Sequence, residues 1–359
     1  MSIRNEENVM GSIYLRKDGR YEGRCKDAKG DRTIYFYGKS YNDVSEKMCR
    51  FWEEQIYCQS DLTVKMLFNE WIEAIKFRVK QSTLANYLGK AETHILPAFG
   101  DIRAEDLDSP CVQHFIADKL SSGLSSNYVA DIVILLKSVM KFAVNRYNIR
   151  NRITDIIMPK KKRAEVLLLS KPQQNRLQKY LIANQNLTSL GVALSLFTGL
   201  RIGELCALKW SDIDLSNRTI SVSKTIQRIK MQGGTQLIIT EPKSISSVRE
   251  IPIPDCILSL LKKFCSKGES YILSGTEKPV EPRTMQYRFQ ALLKKAKLPS
   301  IHFHALRHMF ATNCVELGFD VKSLSEILGH SGVEITLNRY VHSSLERKKA
   351  FMKKLKFAA

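Results

Sequence analysis

The spacing of apolar residues changes twice along this chain of 359 residues, so one regular architecture cannot cover its whole length. Residues 11–37 alternate apolar and polar side chains between turn residues, a pattern typical of short β-strands. Residues 61–155 have helical spacing, and helices and strands are mixed from about residue 170. We therefore predict a multidomain α+β protein. It has a small three-stranded β-sheet plus a helix, then a helical domain, then a mainly helical domain with a small β-sheet.

The predicted domain boundaries follow these changes of pattern. The three domains are 1–58, 61–158 and 165–359, and the basic run Pro159 to Arg163 is interpreted as the linker before the third. Helices are predicted at 83–96, 127–147, 171–184 and 187–197, among others, and strands at 12–16, 21–26, 32–37, 219–229, 235–240 and 249–253. A Gly233-Gly234 turn separates two of the later strands.

The N-terminal sheet is predicted to have one packed face and one exposed face. The side chains expected to face the helix are Ile13, Leu15, Ile34 and Phe36, and those expected on the other face are Tyr14, Arg16, Arg24, Lys26, Tyr35 and Tyr37. A narrow sheet can enter a DNA groove, and a face of Arg, Lys and Tyr suits that use. The alternative, an ordinary solvated face, stays open at this point.

The net charge of +20 indicates an anionic partner, either nucleic acid or a membrane surface. Residues 161–359 hold 32 basic and 15 acidic residues, which is most of the excess. The apolar stretch 187–200 has 14 residues, too few for a membrane span of about 20. The polar start does not resemble a signal peptide, and the eight cysteines contain no CxxC pair. We predict a cytoplasmic protein with reduced thiols and no membrane partner.

Histidine is concentrated near the C-terminus, where five of the seven residues lie between 302 and 342. His304 and His308 have the spacing of a zinc-binding helix, but residue 305 is Ala where a zinc protease needs Glu, and no nearby Cys supplies the remaining ligands. We therefore predict no metal and no other cofactor. Arg307 beside these histidines suits a phosphate instead, because guanidinium and imidazolium groups both donate to phosphate oxygens. Tyr340 could be a nucleophile in such a cationic pocket.

Four sequence blocks in this order resemble the tyrosine recombinases, in particular the integrases of phages and conjugative transposons. They are Thr198-Gly199-Leu200-Arg201-Ile202-Gly203-Glu204-Leu205, Pro242-Lys243-Ser244 with Arg249-Glu250-Ile251-Pro252, His304-Ala305-Leu306-Arg307-His308, and Leu328-Gly329-His330-Ser331 with Thr336 and Tyr340. The resemblance is strong over 190–342 and rests on architecture alone over 11–155.

The resemblance implies transesterification at DNA phosphodiesters, with a 3′-phosphotyrosyl intermediate and without ATP or metal. The implied roles are Tyr340 as nucleophile, Arg201 and Arg307 as phosphate clamps, Lys243 as acid for the leaving 5′-oxygen, His304 as proton acceptor, His330 as phosphate donor and Glu204 as the residue that orients the cations. Lys224 and Lys230 are alternatives to Lys243. Arg201 could also be a charge closing the apolar helix before it.

The resemblance also implies the partners. The expected substrate is double-stranded DNA, with core-type sites held by the second and third domains. Arm-type sites would be held by the N-terminal sheet through Arg16, Arg24, Lys26 and Tyr37. Four protomers would act together to integrate and excise a mobile element, with an excisionase or a host DNA-bending factor as accessory partner. Two alternatives are a type IB topoisomerase, which relaxes supercoils as a monomer, and a DNA-binding regulator without catalysis.

Overall fold

A computed structural model describes residues 11–26, 32–58, 62–161, 167–231, 234–240, 248–266 and 268–340. Contacts within the chain separate it into two compact units, Met1–Arg163 and Ala164–Ala359. Both units contain helices and small antiparallel sheets, so the predicted α+β class is confirmed. The finer division of the first unit into two domains stays a prediction. The predicted linker 159–163 lies partly outside the described residues.

The first unit begins with a three-stranded antiparallel sheet packed on one helix. The elements are β1 (Ser12–Leu15), β2 (Tyr21–Lys26), β3 (Thr33–Gly38) and α1 (Tyr41–Cys58), in the sheet order β1-β2-β3. Cys25, Val44 and Met48 form the centre of a small apolar cluster, into which Ile13, Ile34 and Phe36 also pack. The predicted packed face is therefore confirmed except at Leu15, which is 59% exposed at the end of β1, outside that cluster.

A separate apolar core lies among the helices that follow. They are α2 (Val64–Ile75), α3 (Gln81–Lys90), α4 (Leu96–Phe99), α5 (Ser109–Ser121) and α6 (Ser126–Tyr147). Side chains of Thr63, Asp108 and Ser125 cap α2, α5 and α6 by accepting backbone N–H bonds. The predicted helix 83–96 begins two residues earlier and contains a wide π-helical turn, Ala91–Ile95, which apolar spacing does not reveal.

The second unit combines eight α-helices with two small sheets among its described residues. The helices are α7 (Lys171–Ala183), α8 (Leu187–Thr198), α9 (Ile202–Ala207), α10 (Asp255–Phe264), α11 (Pro282–Lys295), α12 (His304–Glu316), α13 (Val321–Leu328) and α14 (Val333–Tyr340). The strands are β4 (Ile213–Asp214), β5 (Thr219–Val222), β6 (Thr225–Met231), β7 (Gly234–Thr240) and β8 (Arg249–Pro252). One sheet has the order β4-β5-β8, and β6 pairs with β7.

The predicted strand 219–229 is wrong as a single element. It breaks at Ser223–Lys224 because β5 pairs with β8, whereas β6 pairs with β7 in a different sheet. Apolar alternation continues across the break, and so the sequence pattern does not show that the pairing partner changes. Of the predicted Gly233-Gly234 turn, Gly233 lies outside the described residues and Gly234 begins β7.

The apolar stretch 187–200 forms the centre of the second unit. Its helix α8 is buried on almost every side, and its residues belong to the large core that also includes side chains of α9, α11 and α12. A helix that is apolar all round is expected in such a position. No helix in the described part of the chain is long and apolar enough to cross a membrane.

Candidate active site

A tight turn between α8 and α9 positions Arg201. The helix α8 ends at Gly199, which adopts a left-handed conformation (φ 69°), and Arg201 is the N-cap residue of α9. The carboxylate of Glu204 accepts the backbone N–H of Arg201 at 2.9 Å and its Nη1 at 2.7 Å. Arg201 therefore starts the second helix, and the alternative that it closes the apolar helix is wrong.

Glu204 lies buried between two arginines. Its carboxylate, 4% exposed, also receives Nη1 and Nη2 of Arg249 at 3.2 and 3.0 Å. Burial by itself would raise the pKa of Glu204, but hydrogen bonds from Arg249 and the charges of Arg249 and Arg201 outweigh it, so the pKa lies below its usual value. Glu204 is therefore a fixed negative charge at neutral pH.

The helix α12 contributes His304 and Arg307. His304 is its first residue and is exposed, whereas Arg307, one turn later, is only 1% exposed. Arg307 donates from Nη1 to the carbonyl of Gly199 at 2.8 Å and from Nη2 to that of Leu328 at 2.6 Å. These bonds connect α12 to the turn that presents Arg201 and to the end of α13.

The end of α13 presents His330. Gly329 has a left-handed conformation (φ 63°) and donates to the carbonyl of Glu326 at 2.9 Å, while His330 N–H donates to that of Ser325 at 3.1 Å. This pair of bonds is the Schellman motif, which ends the helix and turns the chain. The Nδ1 atom of His330 then lies 2.8 Å from the hydroxyl of buried Thr336, a contact that orients the ring.

The structure thus brings together four of the residues that the resemblance selects. Arg201 Nη2 donates to Gly329 O at 3.0 Å, so Arg201, Glu204, Arg307 and His330 all meet at the end of α13. Tyr340 is the last residue of α14, which contacts both α12 and α13, but its side chain lies outside the described part.

Lys243, the predicted lysine of the site, lies within the segment 241–247 and so outside the described residues. The alternative Lys224 is exposed between β5 and β6, where its charge contributes to lowering the pKa of Glu269, after the larger effect of Lys209. Only the backbone of Lys230 is described, in β6. The assignment of Lys243 stays a prediction.

The His304 and His308 rings form an edge-to-face pair with centroids 4.9 Å apart. Within the described ranges, no three side chains of His, Cys, Asp or Glu are grouped as a metal site would require.

Two buried thiols lie in the second unit, and burial raises the pKa of Cys206 to about 12 and that of Cys314 to about 11. Both thiols are protonated at neutral pH and are therefore poor nucleophiles.

The exposed face of the N-terminal sheet is organised by a residue that the sequence pattern did not single out. Glu22, buried under this face, accepts the Tyr14 hydroxyl at 2.6 Å, Arg16 Nη1 at 2.9 Å and Arg24 Nε at 2.7 Å. The guanidinium of Arg16 lies over the ring of Tyr37, and that of Arg24 lies over the rings of Tyr14 and Tyr35. Lys26 lies on the same face, opposite Thr33. All four predicted residues therefore share one surface.

Comparison with known proteins identifies the family. The phage integrase family matches residues 168–347, half of the chain, and the N-terminal SAM-like domain of phage integrases matches residues 63–120. The chain belongs to the phage integrase family, and the predicted resemblance to tyrosine recombinases is confirmed. A tyrosine recombinase XerC-like protein of Caldanaerobacter subterraneus is 28% identical over 314 residues, 79% of this chain and 80% of that protein. The ICEBs1 integrase of Bacillus subtilis is 23% identical over 339 residues, 90% and 91% of the two chains.

Solved structures share the fold. The Tn1549 transposon integrase, in complex with transposon right end DNA, has a TM-score of 0.69 at 24% identity and covers 82% of this chain and 99% of its own. A lambda integrase tetramer bound to a Holliday junction has a TM-score of 0.60 at 17% identity, and the match covers 95% of this chain and 99% of the lambda integrase chain.

Proposed function

We propose that this protein is a site-specific DNA recombinase, an integrase that cuts and rejoins DNA to integrate and excise a mobile element. The observation that carries the proposal is the meeting of Arg201, Arg307 and His330 at the end of α13, with α14 and Tyr340 following directly. Two guanidinium groups and an imidazole suit the nonbridging oxygens of a phosphodiester. Membership of the phage integrase family supports the same activity.

In the proposed reaction, Oη of Tyr340 attacks the scissile phosphorus, and the bond from phosphorus to the 5′-oxygen breaks. His304 accepts the proton of the phenol, and Lys243 gives a proton to the departing oxygen. A free 5′-hydroxyl then attacks the phosphotyrosyl link and reverses these steps. Since the link retains the phosphodiester, the exchange needs neither ATP nor a metal ion.

The cations stabilise the charge that develops on the phosphate. Arg201 is partly exposed and Arg307 is buried, so we expect a phosphate to contact Arg201 directly and Arg307 at the floor of the site. His330 donates to the same oxygens, and its ring is oriented by Thr336. Loss of one such donor typically slows an enzyme about 10²–10³-fold.

The assembly follows from the reaction. Recombination joins two duplexes with four strand cuts, so we propose that four protomers act together on the DNA, in the cytoplasm. The lambda integrase was solved as a tetramer on a Holliday junction, which supports this stoichiometry. An excisionase or a host DNA-bending factor is the proposed accessory partner.

The N-terminal sheet is proposed to bind a separate, arm-type DNA site. Its exposed face holds Arg16 and Arg24 in fixed positions through the buried carboxylate of Glu22, and stacks them on tyrosine rings. Fixed guanidinium groups suit bidentate contacts with guanine in a DNA groove. We expect deletion of residues 1–58 to abolish arm-site footprints while cleavage at core sites survives. Footprints that persist after the deletion would exclude this role for the sheet.

Covalent trapping on a nicked suicide substrate tests the catalytic proposal. We expect the wild-type protein to form a DNA adduct, and Tyr340→Phe to form none while it still binds DNA, because phenylalanine lacks the attacking oxygen. Tyr287→Phe, which alters an exposed tyrosine of the same unit, is the matched control and should form the adduct normally. An adduct with Tyr340→Phe would show that the nucleophile is another residue. Relaxation of supercoils without recombination of paired sites would instead indicate a topoisomerase.

A further inference from the structure

Three consecutive backbone carbonyls at the end of α13 each accept a hydrogen bond from a different arginine. Ile327 O receives Nε of Arg249 at 2.6 Å, Leu328 O receives Nη2 of Arg307 at 2.6 Å, and Gly329 O receives Nη2 of Arg201 at 3.0 Å. The Schellman motif leaves these last carbonyls without a partner in the helix, and they form the negative end of its dipole. The end of α13 is therefore an anchor for arginines from three distant parts of the sequence.

Arg249 is the one of these three arginines that has no assigned role in the reaction. Its side chain is 6% exposed, and its guanidinium contacts two partners at once: the terminal nitrogens meet both oxygens of Glu204, and Nε meets Ile327 O. Glu204 in turn holds Arg201 through its backbone N–H and its Nη1. A planar guanidinium fork can bond in this way, whereas a lysine ammonium, a point charge, cannot reproduce it.

The position of Arg249 in the chain extends this link to the sheet β4-β5-β8. Arg249 is the first residue of β8 and lies opposite Val222 of β5. Its bonds to Glu204 and Ile327 therefore connect the start of β8 to Arg201 and to the turn that presents His330. The space beside it is also limited, because a side chain at Gly329 would lie 2.9 Å from Arg249 Nη1.

We propose that Arg249 is a positioning residue for DNA cleavage: it holds Glu204, and through it Arg201, against the turn that presents His330. This proposal rests on the proposed recombinase function. Because its guanidinium is buried and bonded to Glu204 and Ile327, its effect reaches the reaction through the geometry of Arg201 and His330. Catalytic groups displaced by about 1 Å can slow a reaction about 10²-fold.

The test compares Arg249→Lys with Arg218→Lys in the full-length protein. Arg218 pairs with exposed Asp255 in the same unit, so its variant controls for the loss of a guanidinium. At saturating suicide substrate and well below the melting temperature, we expect Arg249→Lys to slow adduct formation about 30- to 100-fold, with DNA affinity changed less than about threefold. Arg218→Lys should match the wild type. If Arg249→Lys lowers the melting temperature but leaves the adduct rate within about threefold, the residue is merely structural and the proposal is wrong.

Two further measurements keep the proposal testable. If Arg249 acts through Glu204, the double variant Glu204→Gln/Arg249→Lys should form the adduct no more slowly than the slower of the two single variants. If the rate losses of the two single variants multiply in the double variant, Arg249 does not act through Glu204. The imidazole resonances of His330, assigned by their loss in His330→Gln, should shift in Arg249→Lys and not in Arg218→Lys. If the wild-type protein forms no adduct, the recombinase function fails, and the His330 resonances alone then decide the positioning role: unchanged resonances would refute it.

Discussion

Replacing Glu204 by Gln tests the buried ion-pair network at the base of the site. The carboxylate accepts four hydrogen bonds, two from Arg201 and two from Arg249. Gln has nearly the same shape but keeps one accepting oxygen, and its amide nitrogen then faces guanidinium donors. About two charge-assisted bonds are lost, each worth about 1.5–3 kcal/mol. Because Arg201 is partly exposed, solvent offsets some of this loss.

We therefore expect Glu204→Gln to lower the free energy of unfolding by about 3 kcal/mol at pH 7, in the range for breaking a buried pair. The measurement is urea unfolding followed by the fluorescence of Trp210, which lies in the same core as the neighbours of Glu204 in α9. Both the wild type and Glu204→Gln carry Trp52→Phe and Trp71→Phe in this experiment, so that no tryptophan of the first unit contributes to the fluorescence. Glu269→Gln, which breaks an exposed pair with Lys209, is the matched control and should leave stability almost unchanged.

The pH dependence gives this prediction a second, independent check. The pKa of Glu204 is lower in the folded protein than its ordinary value of 4.5. The unfolded chain therefore takes up the proton first, and the stabilisation is complete above about pH 4.5 and is lost as the pH falls through the folded pKa. The difference in the free energy of unfolding between the wild type and Glu204→Gln should be constant from pH 6 to 8 and shrink below about pH 4.5. A difference under about 1 kcal/mol at pH 7, or one that does not change with pH, would refute the reasoning.

Two other variants probe the packing and the histidine of the site. Gly203→Ala would place a Cβ 2.8 Å from the carbonyl of Ile226, which forces α9 away from β6, and should lower the free energy of unfolding in urea by about 1–3 kcal/mol. Gly89→Ala, which has open space around it, is the control and should not lower it. Equal losses in the two variants would contradict the steric argument. Thr336→Val removes the hydroxyl that bonds His330 and should slow adduct formation about tenfold. Thr336→Ser keeps the hydroxyl and should retain the wild-type rate. A normal rate in Thr336→Val would exclude the proposal that Thr336 orients the His330 ring.

Much of the fold follows from local patterns in the sequence. The N-terminal strands, the helix 127–147 of the first unit and the apolar helix α8 are predictable because turn residues and apolar spacing are local signals. The break between β5 and β6 was missed because it depends on which distant strand each one pairs with. The wide turn at Ala91–Ile95 was missed because one extra residue per turn barely alters the apolar spacing.

The candidate site was predictable in its residue types but not in its internal connections. The four blocks select Arg201, Arg307 and His330, yet nothing in the sequence indicates that Arg249 pairs with Glu204, 45 positions away. The backbone carbonyls at the end of α13 accept hydrogen bonds from Arg201, Arg249 and Arg307, and such carbonyls have no signal in the sequence. Glu22 was missed for a different reason, because an acidic residue on an otherwise basic face was not recognised as the group that orders it.

The charge at the end of α13 matches the chemistry proposed for it. Arg201, Arg249 and Arg307 carry three positive charges, and Glu204, ionised at neutral pH, carries one negative charge, which leaves two positive charges beside His330. Attack of a phenolate on a phosphodiester monoanion gives a pentavalent species with two negative charges. The carbonyls of α13 and the carboxylate of Glu204 hold the guanidinium groups in place against their mutual repulsion. Because groups of the protein itself fix these cations, little reorganisation is needed when the charge develops.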